Sequence, residues 1–109
     1  MTSVNIEDLR RKLNYSNKIV KKDLLDARSF NLVLIGLGEG QEIPSHPEEY
    51  DAVFYVLEGE GIIAIGDEQV IVSEGSLVFS PKEKDRGIKS LKKLSILGIR
   101  ENVMEKIGD

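Results

Sequence analysis

The apolar positions along the chain change period once. In IEDLRRKL, Ile6, Leu9 and Leu13 recur at helical spacing. Asn5 precedes them as an N-cap, its side-chain oxygen placed to accept from the amides of the first turn. The spacing predicts a short amphipathic helix within residues 1–16, too short to persist in water unless it lies on something. From Asn17 the pattern becomes strand-like. NKIVKK, SFNLVLIGL, VFYVL, IIAI, QVIV, SLVFS and KLSILGI are β-branched or apolar runs, punctuated by Gly, Pro, Asp or Glu. Short strands at regular spacing, with no helix between them, predict an all-β sandwich or barrel over residues 17–100, followed by a tail at 101–109.

Two punctuations carry geometry. Gly66-Asp67 is a two-residue loop between IIAI and QVIV, the length that tight hairpins favour, because glycine reaches positive φ without a Cβ clash. Gly59 and Gly61 flank Glu60 at the other end of IIAI. Strands at residues ~52–58, ~62–65 and ~68–72 are therefore expected as an antiparallel meander. NLVLI and AVFYVL are apolar on both faces, so something must cover the outer face as well. The N-terminal segment and a second sheet are one cover. A second copy of the chain is the simpler one for a chain this small, so a homodimer is expected.

At 109 residues, with 40% hydrophobic and 31% charged positions, the chain has the composition of one globular domain. Its formal net charge of -4 argues against a polyanion partner, since nucleic-acid binders concentrate Lys and Arg. The one basic cluster, Arg86 to Lys93, lacks interleaved aromatics. With no cysteine, disulfides, thiolate metal sites and cysteine nucleophiles are excluded. MTSVNIEDLRRKLNY has no apolar core segment, so neither a signal peptide nor a membrane span is expected, and the default setting is the cytoplasm.

The one histidine, His46, opens the stretch HPEEYDAVFYVLEG. The longer segment GQEIPSHPEEYDAVFYVLEG resembles the first motif of the cupins, G-x5-H-x-H-x3-4-E-x6-G. Gly40, His46 and Gly59 match, whereas Glu48 falls on the second histidine and Ala52 on the glutamate. GSLVFSPKEKDRGIKS resembles the second motif, G-x5-P-x-G-x2-H-x3-N. Gly75 and Pro81 match there, with Glu83 at the glycine, Arg86 at the histidine and Ser90 at the asparagine. The phrases YVLEGEG and GSLVFSP are similar to cupin sequence too. The resemblance implies a cupin-like antiparallel β-barrel, or jelly roll, with a short N-terminal helix.

In metal-binding cupins the two histidines, the glutamate and the later histidine converge on one divalent ion, and a stable site usually takes three or four such ligands. Here Ala52 carries no donor and Arg86 repels a cation, so no metal and no cofactor are expected. Asp51 adjoins the vacant position, but it needs a bulge to turn inward. The resemblance puts Arg86 where a ligating histidine projects into the barrel, with Glu48 as its ion-pair partner and His46 hydrogen-bonded nearby. Alternatively, Arg86 belongs to the solvated run KEKDRGIKSLKK. The inward reading makes His46, Glu48 and Arg86 the polar contacts of a small polar or anionic ligand. Ala52, Phe54 and Val56, on one face by strand alternation, form its apolar floor. Tyr50 and Tyr55 read as packing.

The expected function is thus a metal-free barrel that binds a small molecule. The alternatives are an isomerase- or epimerase-like enzyme using His46 and Arg86, a metal-binding cupin with a non-standard ligand set, and a purely structural dimerisation module.

Overall fold

The computed structural model describes residue 3, residues 5–11 and residues 18–102. Its elements are a helix, α1 (Ile6–Arg11), and strands β1 (Val20–Asp26), β2 (Phe30–Leu37), β3 (Glu42–Pro47), β4 (Ala52–Ile65), β5 (Glu68–Ser73), β6 (Leu77–Ser80) and β7 (Asp85–Glu101). All pairings are antiparallel. Leu13 and the tail beyond Asn102 lie outside the described residues.

The two long strands, β4 and β7, organise the fold. They pair from Ala52 opposite Arg100 to Ile65 opposite Arg86. β2 lies against the C-terminal half of β7, β1 against β2, and β6 against the first half of β4. β3 lies against the N-terminal half of β7, and β5 against the second half of β4. The shared strands bend, and the two halves enclose one core that draws on β2, β4, β5 and β7, with Leu37, Val56, Ile63, Leu94 and Ile96 all wholly buried. This is the expected all-β jelly-roll architecture with its short helix.

The expected meander is corrected in one respect. Residues 52–65 form one strand instead of two, and only the part after the bend hairpins with β5, through Gly66 at φ 59. Gly59 and Gly61 make no turn. They let β4 press against β7: a Cβ on Gly59 would lie 1.8 Å from the Lys93 carbonyl oxygen, and one on Gly61 would lie 2.5 Å from that of Lys89. The ladder register shifts three times between Val56 and Gly61, as expected where a strand bulges and bends.

Part of the outer face of the sheet is covered by the helix. Leu9 of α1 is 3% exposed and packs on Leu34 and Leu57, with Tyr55 and Leu97 beside them. The helix is capped as expected, the Glu7 amide donating to the Asn5 side chain at 2.7 Å. Arg10 pins it down, donating from Nε and Nη2 to the Leu57 carbonyl at 3.0 and 2.7 Å. Among the described residues no helix is long and apolar enough to cross a membrane.

Candidate functional site

β3 and β7 bring His46 and Arg86 opposite one another as Cα partners. His46 therefore belongs to a strand, and the basic run after Pro81 is mostly strand β7, in which Arg86, Gly87, Ile88 and Ser90 are buried. The two side chains border a cavity of about 60 Å³ between the half-sheets. That is room for a few waters or a carboxylate-sized group.

Arg86 is 6% exposed. Its Nη2 donates to the Tyr50 carbonyl at 2.6 Å and to the Ser80 carbonyl at 3.3 Å, and its Cζ sits 5.0 Å from the centroid of the Tyr50 ring, within cation–π range. Nε and Nη1 are buried with no hydrogen-bond partner. Burial pushes the guanidinium pKa down, with Tyr50, Glu48 and Asp51 acting in the opposite direction. Arginine nonetheless remains charged at any pH a protein meets.

The expected Arg86–Glu48 ion pair is not formed. Glu48 bonds Nε2 of His46 instead. Glu48 and His46 are two residues apart in nearly extended chain, so their side chains lie on one side and meet locally, whereas Arg86 must be reached across the ladder. The other ring nitrogen, Nδ1, faces the Pro44 carbonyl oxygen at 2.8 Å. That carbonyl first, and the Glu48 carboxylate second, raise the His46 pKa above its ordinary value. Both nitrogens face acceptors, which favours the doubly protonated ring.

Of the residues expected at the site, His46, Glu48, Arg86 and Phe54 line the cavity. Ala52 and Val56 are instead core residues, 2% and 0% exposed, that do not border it. Sequence reasoning missed the other seven lining residues, among them Lys21 on β1, Arg100 on β7, and Tyr50, which reads as packing from sequence. Arg100 donates from Nε to the Asn31 side chain at 2.8 Å. No sequence signal marks Lys21, because it reaches the cavity through the β1–β2–β7 order. Asp51 does not fill the vacant ligand position, since its carboxylate accepts from the Lys82 amide at 2.8 Å.

The donor set does not fit a divalent cation. His46 and Glu48 are the two donors of the motif. Ala52 has none to offer, and a buried guanidinium occupies the fourth place. Among the described residues no three His, Cys, Asp or Glu side chains come close enough to hold a metal. The cavity instead gathers three cations, Lys21, Arg86 and Arg100, against one carboxylate that His46 already engages. A larger, open hollow of about 280 Å³ lies over Gly87 and Ala64, but no buried unpartnered polar group points into it.

Comparison with known proteins agrees with this architecture. The family model for the cupin domain matches residues 33–95. Among solved structures, the chain is similar to a conserved protein of unknown function from Streptococcus pyogenes, at 21% identity over 94% of this chain and 90% of that one, with a TM-score of 0.82. It is similar to a protein from Thermus thermophilus at 28% identity, covering 86% and 93% of the two chains, with a TM-score of 0.79. An RmlC-like cupin from Shewanella frigidimarina is 20% identical over 81% and 79% of the chains, with a TM-score of 0.75. No functionally curated protein matches the sequence.

Proposed function

The chain belongs to the cupin family, and we propose that it is a member whose barrel binds a small anionic ligand, a carboxylate above all, through fixed side-chain cations instead of a metal ion. One observation carries the reading: Arg86 is buried beside the cavity with Nε and Nη1 unpartnered. Buried polar groups without partners are rare and costly, and buried cationic ones especially so. On this reading the guanidinium turns toward an anion in the cavity it borders, which meets this unmet donor capacity in a low-dielectric setting where a charge-assisted hydrogen bond is strong. Lys21 and Arg100 add to the attraction, while Phe54, Ile35 and Ile88 supply an apolar wall.

The isomerase-like alternative draws less support. A general base needs a free lone pair, and both nitrogens of His46 already face acceptors.

Thermal unfolding of the purified protein against a panel of mono- and dicarboxylates, inorganic phosphate and neutral sugars tests the proposal. A ligand at about a hundred times its Kd stabilises by roughly 2.7 kcal/mol, which is several degrees in Tm for a domain of this size. Carboxylates are expected to raise the Tm of the wild type and not of Arg86→Gln. Shifts with sugars alone, or equal shifts in the variant, would sink the reading, as would a rise with Mn2+ or Zn2+ that His46→Ala removes.

A further inference from the structure

The cations of the cavity are divided between its two walls, and strand pairing decides the division. Lys21 is the Cα partner of Ile35 on β2, and Arg100 is the partner of Asn31 on β2, so both belong to the half-sheet of β1, β2 and the end of β7. Arg86 is the partner of His46 on β3 and belongs to the other half-sheet. β7 thus delivers a guanidinium to each wall from near its two ends, and all three cationic side chains line the same small cavity. Arg100 donates from Nε to the Asn31 side chain at 2.8 Å, which fixes the plane of its fork. Lys21 lies near enough to His46 for the two charges to oppose one another. Among the described residues, neither Lys21 nor Arg100 forms an ion pair with a carboxylate.

We infer that this division selects a short dicarboxylate, held by Arg86 at one end and by Lys21 and Arg100 at the other. The inference rests on the anion-binding reading above and adds to it a role for the second wall, on which Lys21 and Arg100 set specificity. A monocarboxylate answers one wall and leaves the cations of the other facing a partly desolvated space without a counter-charge. A dianion answers both. Glu48 does not serve as the second carboxylate, because it is bonded to His46. The cationic character is local, since the chain as a whole carries a net charge of -4. Guanidinium forks match carboxylates through two parallel bonds, so forks on both walls suit a ligand with a carboxylate at each end better than a single tetrahedral ion. Size limits its length. A cavity of about 60 Å³ admits one carboxylate-sized group, so the second lies at the mouth, where Lys21 is exposed, a few carbons away at most.

The test is calorimetric titration of the intact chain with malonate and succinate, with propionate and butyrate as their monocarboxylate counterparts, and with inorganic phosphate. Each dicarboxylate is expected to bind about tenfold tighter than its counterpart, the gain from one further charge-assisted contact. Lys21→Gln alters an exposed residue and leaves the core intact. It should remove most of that preference while changing propionate affinity by no more than about twofold, and Lys21→Arg should restore the preference. Arg86→Gln should abolish binding of both classes. Lys92→Gln, which removes an exposed charge elsewhere on β7, should keep the preference. Equal affinities for the two classes, both lost in Arg86→Gln, overturn this inference and leave the anion site standing. If neither class binds, the anion reading fails and this inference with it. A preference that Lys21→Gln leaves intact, or that Lys92→Gln also removes, overturns the role of the second wall, and phosphate binding tighter than either dicarboxylate overturns the choice of ligand.

Discussion

His46 and Arg86 are direct partners across β3 and β7, yet the His46 side chain is 49% exposed while Arg86 is 6% exposed. Two basic groups facing each other on one ladder are kept in different media. The imidazole sits at the mouth of the cavity with Glu48 for company, and the guanidinium lies inside with backbone carbonyls on one nitrogen and nothing on the other two. The motif's charge is thus supplied by the chain itself, at a position where removing it should affect binding more than folding.

Replacing Arg86 with Met tests that separation. The change strands the Tyr50 and Ser80 carbonyls, a loss of about 1–3 kcal/mol, but relieves two unpartnered buried donors of comparable cost. Arg86→Met is expected within about 1 kcal/mol of wild type by urea unfolding. Ligand-induced stabilisation should be absent. A loss of more than about 3 kcal/mol would identify the guanidinium as a structural keystone and weaken the binding proposal.

The single histidine makes pH dependence legible. Its pKa in the folded chain is raised, by the Pro44 carbonyl first and by Glu48 second, while Lys21 opposes. A raised pKa means stability that is fully present below the ordinary value of 6.5 and lost as pH rises through the folded value. The stability difference between wild type and His46→Gln should therefore shrink from mildly acidic to alkaline pH. An NMR titration of the ring is expected to have its midpoint above 6.5, and Glu48→Gln should lower that midpoint only in part, since the Pro44 bond remains. A midpoint below 6.5 contradicts the geometry.

Gly59 at φ 94 leaves no room for a side chain, because the Lys93 carbonyl occupies the space. Gly59→Ala combines backbone strain with a main-chain clash at the bend of β4 and should cost more than about 3 kcal/mol. A mild effect in urea unfolding would mean that β4 and β7 separate there easily.

Glu83 gives the opposite case. It has φ 74 and stands where cupin sequences carry a glycine. A left-handed residue bearing a Cβ costs roughly 1–2 kcal/mol, and glycine returns about 0.5–1 kcal/mol of that as chain entropy. Glu83→Gly is expected to stabilise the protein by up to about 1 kcal/mol, checked by the urea midpoint. Destabilisation would show that the Glu83 side chain does something the contacts do not reveal.

Most strands could be read from the chain because period-2 apolar runs and Gly66 are local signals. The break expected at Gly59 was wrong for a physical reason. A glycine serves a turn and a close approach equally well, and only the Lys93 carbonyl, 34 positions away on β7, distinguishes the two.

The sequence by itself determined the all-β class, the N-cap at Asn5, the hairpin at Gly66, and a cupin-like motif with an arginine and an alanine in place of two ligands. These follow from residue types and short spacings. Only the tertiary structure decided that Arg86 is buried, that Glu48 bonds His46 and not Arg86, and that Lys21 and Arg100 join the cavity. Each of these depends on which distant strand lies beside which, and that is set by packing the whole barrel at once.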